Sequence, residues 1–262
     1  MSFMTTFFNR FGFKVAVQQM GVYHSELHEM RSFVPGSVIV TDCDRTDLSM
    51  GYNIDHYYAT LNSVAHWFST NVVDHHLKIT PYPLGIDYHT GARELGLNGV
   101  SPFDQEAVLI RLRGEAKPFW ERSSRIYTNF NTRHVNIHRL RAHRDIPAQL
   151  VDYEPIVTPR EATWKKHLAY AFIASPRGNG IDCHRTWEAL ALGNIVIVGS
   201  TAIDPLYEDL PVLIIKRWSD LTQDLLDQTI ENYKTRTFKY EKLTLQYWIS
   251  QVQYQLNKAR VS

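Results

Sequence analysis

The chain has 262 residues, 44% apolar, 12% aromatic and 21% charged, which supplies ample core and excludes intrinsic disorder, collagen and coiled coil. Twenty-eight Lys and Arg against 27 Asp and Glu leave a formal net charge of +1, which argues against a protein whose main work is coating nucleic acid or an anionic membrane. At about 150 residues per domain, the length fits either one large domain or two small lobes.

The elements predicted in chain order begin with strands at Phe13 to Val17 and Ser37 to Thr41. Tyr57 to Ser69 reads as a helix, with Leu61, Val64, Ala65 and Phe68 at spacings of three and four. Lys78 to Thr80 is a short strand stopped by Pro81 and Pro83. From about Asp87 to Lys117, glycines and Pro102 break any period, and the stretch reads as a hinge or crossover. A second alternating set opens at RIYTNFN and continues through a charged helix carrying Arg139, Arg141 and Arg144. The clearest unit follows: HLAYAFIAS as strand, PRGNGI as loop, DCHRTWEALALG as helix, then NIVIVGS and DLPVLIIK as strands. Asp182 is placed to cap that helix and Gly193 to end it. Two helical patterns fill the tail from Ser219 to about Ala259. Short apolar runs alternating with amphipathic stretches give an α/β fold of two lobes, residues 1–118 and 119–262, each built on a parallel sheet and facing the other across a cleft.

Cys43 and Cys183 stand far apart, with no disulfide framework and no paired-thiol zinc motif, so a reducing compartment is expected. Asn9, Arg10 and Lys14 interrupt the N-terminus before a signal-peptide core forms, and no run of about 18 apolar residues occurs. The expectation is a cytoplasmic protein without stable membrane insertion.

Three segments carry chemistry. The loop Ser175 to Asp182, SPRGNGID, sits at the carboxyl end of a strand and opens a helix. Ligands bind there in doubly wound sheets. Gly178 and Gly180 would let the backbone approach a ligand, the helix N-terminus offers N–H groups to a phosphate, and Arg177 adds charge. No Gly-Lys-Ser/Thr follows, so this is not a Walker loop. On the next helix Arg185 and Glu188 share a face, suited to a diphosphate and to ribose hydroxyls; an ordinary helix ion pair is the simpler alternative. The third segment, VIVTDCDRTD, admits two readings. Asp42 and Asp44 could hold a divalent metal with a nucleotide diphosphate, or a single Asp could act as general base; a cluster of turn and capping residues would look the same. Twelve histidines, among them His75 with His76 and His24 with His28, show no convincing third-ligand spacing for a metal. Tyr52, Tyr57, Tyr58 and Trp67 could stack on a sugar, although core packing suits Trp67 and Phe68 better.

The stretch from YAFIASPRGNGID through EALALGNIVIVGS to DLPVLIIKRW resembles the nucleotide-sugar-binding part of exostosin-like glycosyltransferases. WFSTN with KITPYPLGID, and NFNTRHVNIHR, are similar to further segments of that family, so the likeness spans about half the chain. It looks most like the compact, free-standing relatives of microbes and large DNA viruses. The resemblance implies a GT-B architecture, with the donor in the C-terminal lobe, the acceptor in the N-terminal lobe, the C-terminal helix able to pack back on the N-terminal lobe, and no metal or cofactor beyond the donor itself. Arg139, Arg177 and Arg185 would hold the donor diphosphate together with Gly178, Gly180 and Asp182. Glu188 would hold the ribose. Asp44, or in second place Asp55, would be the general base. The implied activity is transfer of a hexose or pentose from a nucleoside diphosphate, UDP above all, to a saccharide hydroxyl, with no nucleic-acid partner. A metal-dependent Asp-x-Asp transferase and a non-catalytic carbohydrate- or nucleotide-binding module are the alternatives.

Overall fold

The computed structural model describes residues 7–26, 34–42, 54–72, 75–88, 101–132, 136–154 and 158–261. Two parallel sheets form the frame. The first contains β1 (Tyr23–Glu26), β2 (Val38–Asp42), β3 (His66–Ser69) and β4 (Ile79–Pro81), in that spatial order. The second contains β5 (Ser123–Thr128), β6 (Val151–Tyr153), β7 (Tyr170–Ala174), β8 (Ile195–Gly199) and β9 (Val212–Ile215), ordered β6-β5-β7-β8-β9. Parallel pairing explains why β7 and β8 read as near-continuous apolar runs and why β2 is buried along its whole length, its polar end included: both faces of such strands are covered.

The helices are α1 (Arg10–Gln19), α2 (Ile54–Ser63), α3 (Pro102–Glu115), α4 (Ile137–Asp145), α5 (Arg160–His167), α6 (His184–Ala191), α7 (Gln223–Lys234) and α8 (Leu245–Val261). Three sequence expectations change. Phe13 to Val17 is not a strand but the buried face of α1, where Phe13 and Val17 lie one turn apart and the Asn9 side chain caps the N-terminus by accepting from Gly12 N at 2.8 Å. The helix expected over Tyr57 to Ser69 ends at Ser63, and its last four residues pair as β3 between β2 and β4. The presumed hinge contains α3, begun by Ser101 and Asp104 in a capping box with Pro102 in the first turn. His24 lies on β1, so its helical spacing to His28 has no helix to act through.

In the second sheet the two faces alternate along each strand. Ile173, Val196 and Val198 join a core that runs through Leu109 and Leu112 of α3 and on into Ile39, Trp67 and Tyr82 of the first lobe. Phe172, Ala174, Ile195 and Ile197 face a second core with Ala142 of α4 and Leu226 of α7. The C-terminal helix α8 packs on α1, β2 and β3, so the chain ends on the lobe where it began. Phe7 bridges Thr244 and Asn9 bridges Gly85, tying the segment before α1 both to the start of α8 and to the loop after β4. No helix among the described residues is long and apolar enough to cross a membrane.

Gly85 has φ +70°, and a Cβ there would lie 2.6 Å from the Phe8 carbonyl oxygen and 2.5 Å from its ring. Gly85→Ala is therefore expected to destabilise the fold by about 2 kcal/mol or more, the left-handed penalty plus the clash. Urea denaturation measures this; an unchanged midpoint would show that the N-terminal segment can move aside.

Candidate functional site

The order β6-β5-β7-β8-β9 reverses direction between β5 and β7, and in open parallel sheets the crevice beyond the carboxyl ends at such a point takes ligands. The loops after β5 and β7 are joined there by Asn136. Its Oδ1 accepts from His138 N and Arg139 N at 3.1 Å each, capping α4, while its Nδ2 donates to Gly178 O at 2.8 Å. Arg139 donates from Nη1 to Asn131 O at 3.4 Å, and a Cβ on Gly178 would lie 2.8 Å from its Nη2. Gly178 thus makes room for a guanidinium. Gly180 does the same for Asn71, whose amide would lie 2.7 Å from a Cβ at that position. In the structure these glycines admit protein side chains from neighbouring elements.

Two cavities adjoin the segment from Ser175 to Glu188, one at the loop and one at the helix that follows it. The larger, about 640 Å³, lies over the carboxyl ends of β7, β8 and β9. Arg141 and Arg144 of α4, Arg177 of the loop, and Lys216 and Arg217 after β9 line it, with Trp218 supplying an aromatic wall. Asp145 is the carboxylate among its described lining residues and is bonded to Arg144, Nε to Oδ1 at 2.6 Å. That bond holds the Asp145 carboxyl below the usual range. Arg217 pairs with Asp220 at 2.9 Å, whereas Arg141, Arg177 and Lys216 add positive charge. Burial, then the charges of Arg177 and Arg141, lower the His138 pKa on the same wall. The sequence carries this lining as His138, Arg141 and Arg144, three apart on one helix face, and as Lys-Arg-Trp just past a strand.

The smaller cavity, about 190 Å³, lies between the lobes and is lined by Asp87, Asn129, Arg160, His167, His184 and Arg185, among others. Arg185 donates from Nε to Asn129 Oδ1 at 3.1 Å, and burial, partly offset by Cys183 and reinforced by Arg139, lowers its pKa.

Most of the expected ligand-binding residues lie on or beside this loop, but not on one pocket. Arg177 lines the large cavity, Arg185 the small one, and Arg139 packs against Gly178 and lines neither. The expectation that all three arginines meet one diphosphate is not what the geometry presents. Asp182 is buried and its carboxylate is fully engaged: it accepts from Leu84 N at 2.8 Å, Trp187 Nε1 at 2.7 Å, Cys183 N at 2.8 Å and Tyr207 OH at 3.4 Å. Cys183, not Asp182, occupies the N-cap position, and Asp182 fastens the lobes together. Burial pushes its carboxyl up, against the pull of the Leu84, Trp187 and Cys183 N–H groups. Glu188 is likewise committed, one oxygen to Arg160 and the other to Trp164 Nε1 at 2.9 Å, with the Arg160 guanidinium 4.9 Å from the Trp164 ring centroid. A ribose would have to displace that pair.

Asp44 lies outside the described residues, and Asp55 lies on α2 with its side chain outside them. Asp42 does not present a free metal ligand: it accepts a short hydrogen bond from Tyr82 OH and pairs with Arg10 Nε at 3.4 Å. Of the aromatics, Tyr57 and Trp67 are core and Tyr58 is exposed; Tyr52 lies outside the described residues. No protein-family model matches the chain, and no curated protein is significantly similar to it.

Glu188→Ala leaves the buried Arg160 without its counter-charge, so a loss of about 3 kcal/mol is expected in thermal or denaturant unfolding without any ligand. A variant as stable as wild type but weaker in nucleotide binding would return Glu188 to a ligand role.

Proposed function

We propose that the protein is a cytoplasmic glycosyltransferase of GT-B architecture that moves a sugar from a nucleoside diphosphate, UDP foremost, to a hydroxyl of a saccharide. The observation that carries this reading is the cationic cavity at the carboxyl edge of the second sheet. A nucleoside diphosphate presents two negatively charged phosphates and a flat base. Arg141, Arg177 and Lys216 supply charge-assisted donors for the former, and Trp218 a stacking surface for the latter. The reaction places growing negative charge on the departing diphosphate, and fixed cations in a sheltered cavity stabilise that charge without reorganising.

The resemblance of the Pro-Arg-Gly loop and its helix to exostosin-like enzymes supports the same reading from an independent direction. In this proposal the donor needs no metal: cationic side chains do the work a divalent ion does elsewhere. The N-terminal lobe, whose loops after β3 and β4 meet the Asp182 segment through Asn71 and Leu84, supplies the acceptor side.

UDP should bind the protein in the presence of a chelator, measured by calorimetry. Arg177→Ala should weaken that binding by roughly tenfold or more, the worth of one hydrogen bond to a charged group. Absence of UDP binding, together with absence of binding to other nucleoside diphosphates, would overturn the proposal.

A further inference from the structure

The small cavity between the lobes contains a histidine whose tautomer is fixed by its neighbour. His184, the first residue of α6, holds its Nδ1 at 2.6 Å from the carbonyl oxygen of Gly85 in the other lobe. A carbonyl can only accept, so the Nδ1 carries the proton and Nε2 is left as a bare acceptor. Nε2 is 3.9 Å from Asp87 Oδ2, too far for a direct hydrogen bond, so the acceptor nitrogen stays open to the cavity beside a carboxylate. His184 and Asp87 both line the cavity.

A second observation marks the same cavity as a place for a polar ligand. His167 lines it, is 1% exposed, and neither of its ring nitrogens has a hydrogen-bond partner among the described residues. Burial, then Arg185 and Arg122, hold its pKa down at about 3, so it stays neutral and offers one donor and one acceptor to an uncharged hydroxyl.

We propose that the inter-lobe cavity receives the acceptor hydroxyl and that His184 Nε2 takes its proton, with Asp87 as the positioning residue. This rests on the glycosyltransferase reading and gives the role of base to a residue of the helix that follows the Pro-Arg-Gly loop. The acceptor oxygen keeps the O–H electron pair and bonds to the anomeric carbon. The bond from that carbon to the phosphate oxygen breaks, and its electron pair leaves on the nucleoside diphosphate. The proton rests on His184 and returns to solvent after product departs. Water in place of the acceptor gives slow donor hydrolysis by the same step.

The test has two arms on the full chain. Long-range proton–nitrogen correlation spectra of the free protein should show His184 as the Nδ1–H tautomer; the Nε2–H tautomer would overturn the proposal whatever the activity. Hydrolysis of UDP-glucose, UDP-galactose, UDP-N-acetylglucosamine and UDP-xylose is then compared between variants. His184→Gln, whose amide can still donate to Gly85 O, should lower turnover by about a hundredfold or more while UDP affinity and melting temperature stay near wild type. Turnover within twofold of wild type refutes the base assignment and leaves the transferase reading standing. Wild-type inactivity on every donor refutes both. The groups facing His184 are Asp87 after β4, Arg160 and His167 of α5, Asp182 before the helix, and Arg185 and Glu188 on it. Asp87→Asn removes the carboxylate 3.9 Å from Nε2, so kcat should fall about tenfold while KM for the donor and the melting temperature stay near wild type. An unchanged kcat removes Asp87 from the proposal.

Discussion

The arrangement of both lobes depends on one buried carboxylate. Asp182 sits where the loop after β7 turns into α6, and its two oxygens gather donors from four places: the Leu84 N–H of the first lobe, the Trp187 indole, its own neighbour Cys183 and the Tyr207 hydroxyl. Its backbone N–H is bound by Asn71 of the first lobe at 2.8 Å. A buried carboxylate is costly unless its lone pairs are satisfied, so the site is stable only when all of these elements are in register. Asn71 reaches it from a left-handed backbone, φ 54°, a conformation that Asn tolerates better than most residues. Gly180 is small because Asn71 passes so near.

From this fastening the rest of the site follows. With the loop held at Asp182, Pro176 and Arg177 on one side are presented to the large cavity, while His184 and Arg185 on the other open toward the first lobe. The core continues from the first sheet into α3 and the inner face of the second, so the lobes are joined by apolar packing as well as by polar contacts. That continuity explains why the space left between them is the smaller of the two cavities.

What was legible in the sequence was what local pattern decides. The β7–loop–α6–β8 unit could be read because buried parallel strands are continuous apolar runs and Gly193, at φ +77°, ends the helix between them. Phe13 and Val17 misled because two apolar residues in a short run fit either period; the Asn9 cap was the better signal. Helix α3 was missed although Ser101, Pro102 and Asp104 announce its start, because its inward face includes the polar Gln105 and Glu106 and its apolar stripe is weak. The roles of Asp182 and Glu188 were beyond local reading. Their partners lie far along the chain, Leu84 for one and Arg160 for the other, and only the folded topology brings them together.

The placement of charge has a chemical logic that net charge conceals. A displacement at an anomeric carbon makes two opposite demands: cations where the leaving group gathers negative charge, and a neutral acceptor where the incoming hydroxyl sheds its proton. Both act on one carbon, so the two demands must be met on opposite faces of one cleft, with no cation in direct contact with the base, where it would hold off the proton. Here the cationic wall is built from the loop after β7 with α4 and the residues after β9, and the His184–Asp87 pair lines a second cavity on the helix that follows that loop. Arg139 lies against Gly178 and lines neither cavity, and Glu188 pairs with the Arg160 guanidinium that shares the histidine's cavity. In the proposed enzyme, the commitment of Glu188 to Arg160 therefore has a function besides stability: it leaves the cavity that the histidine lines with a paired guanidinium in place of a free one.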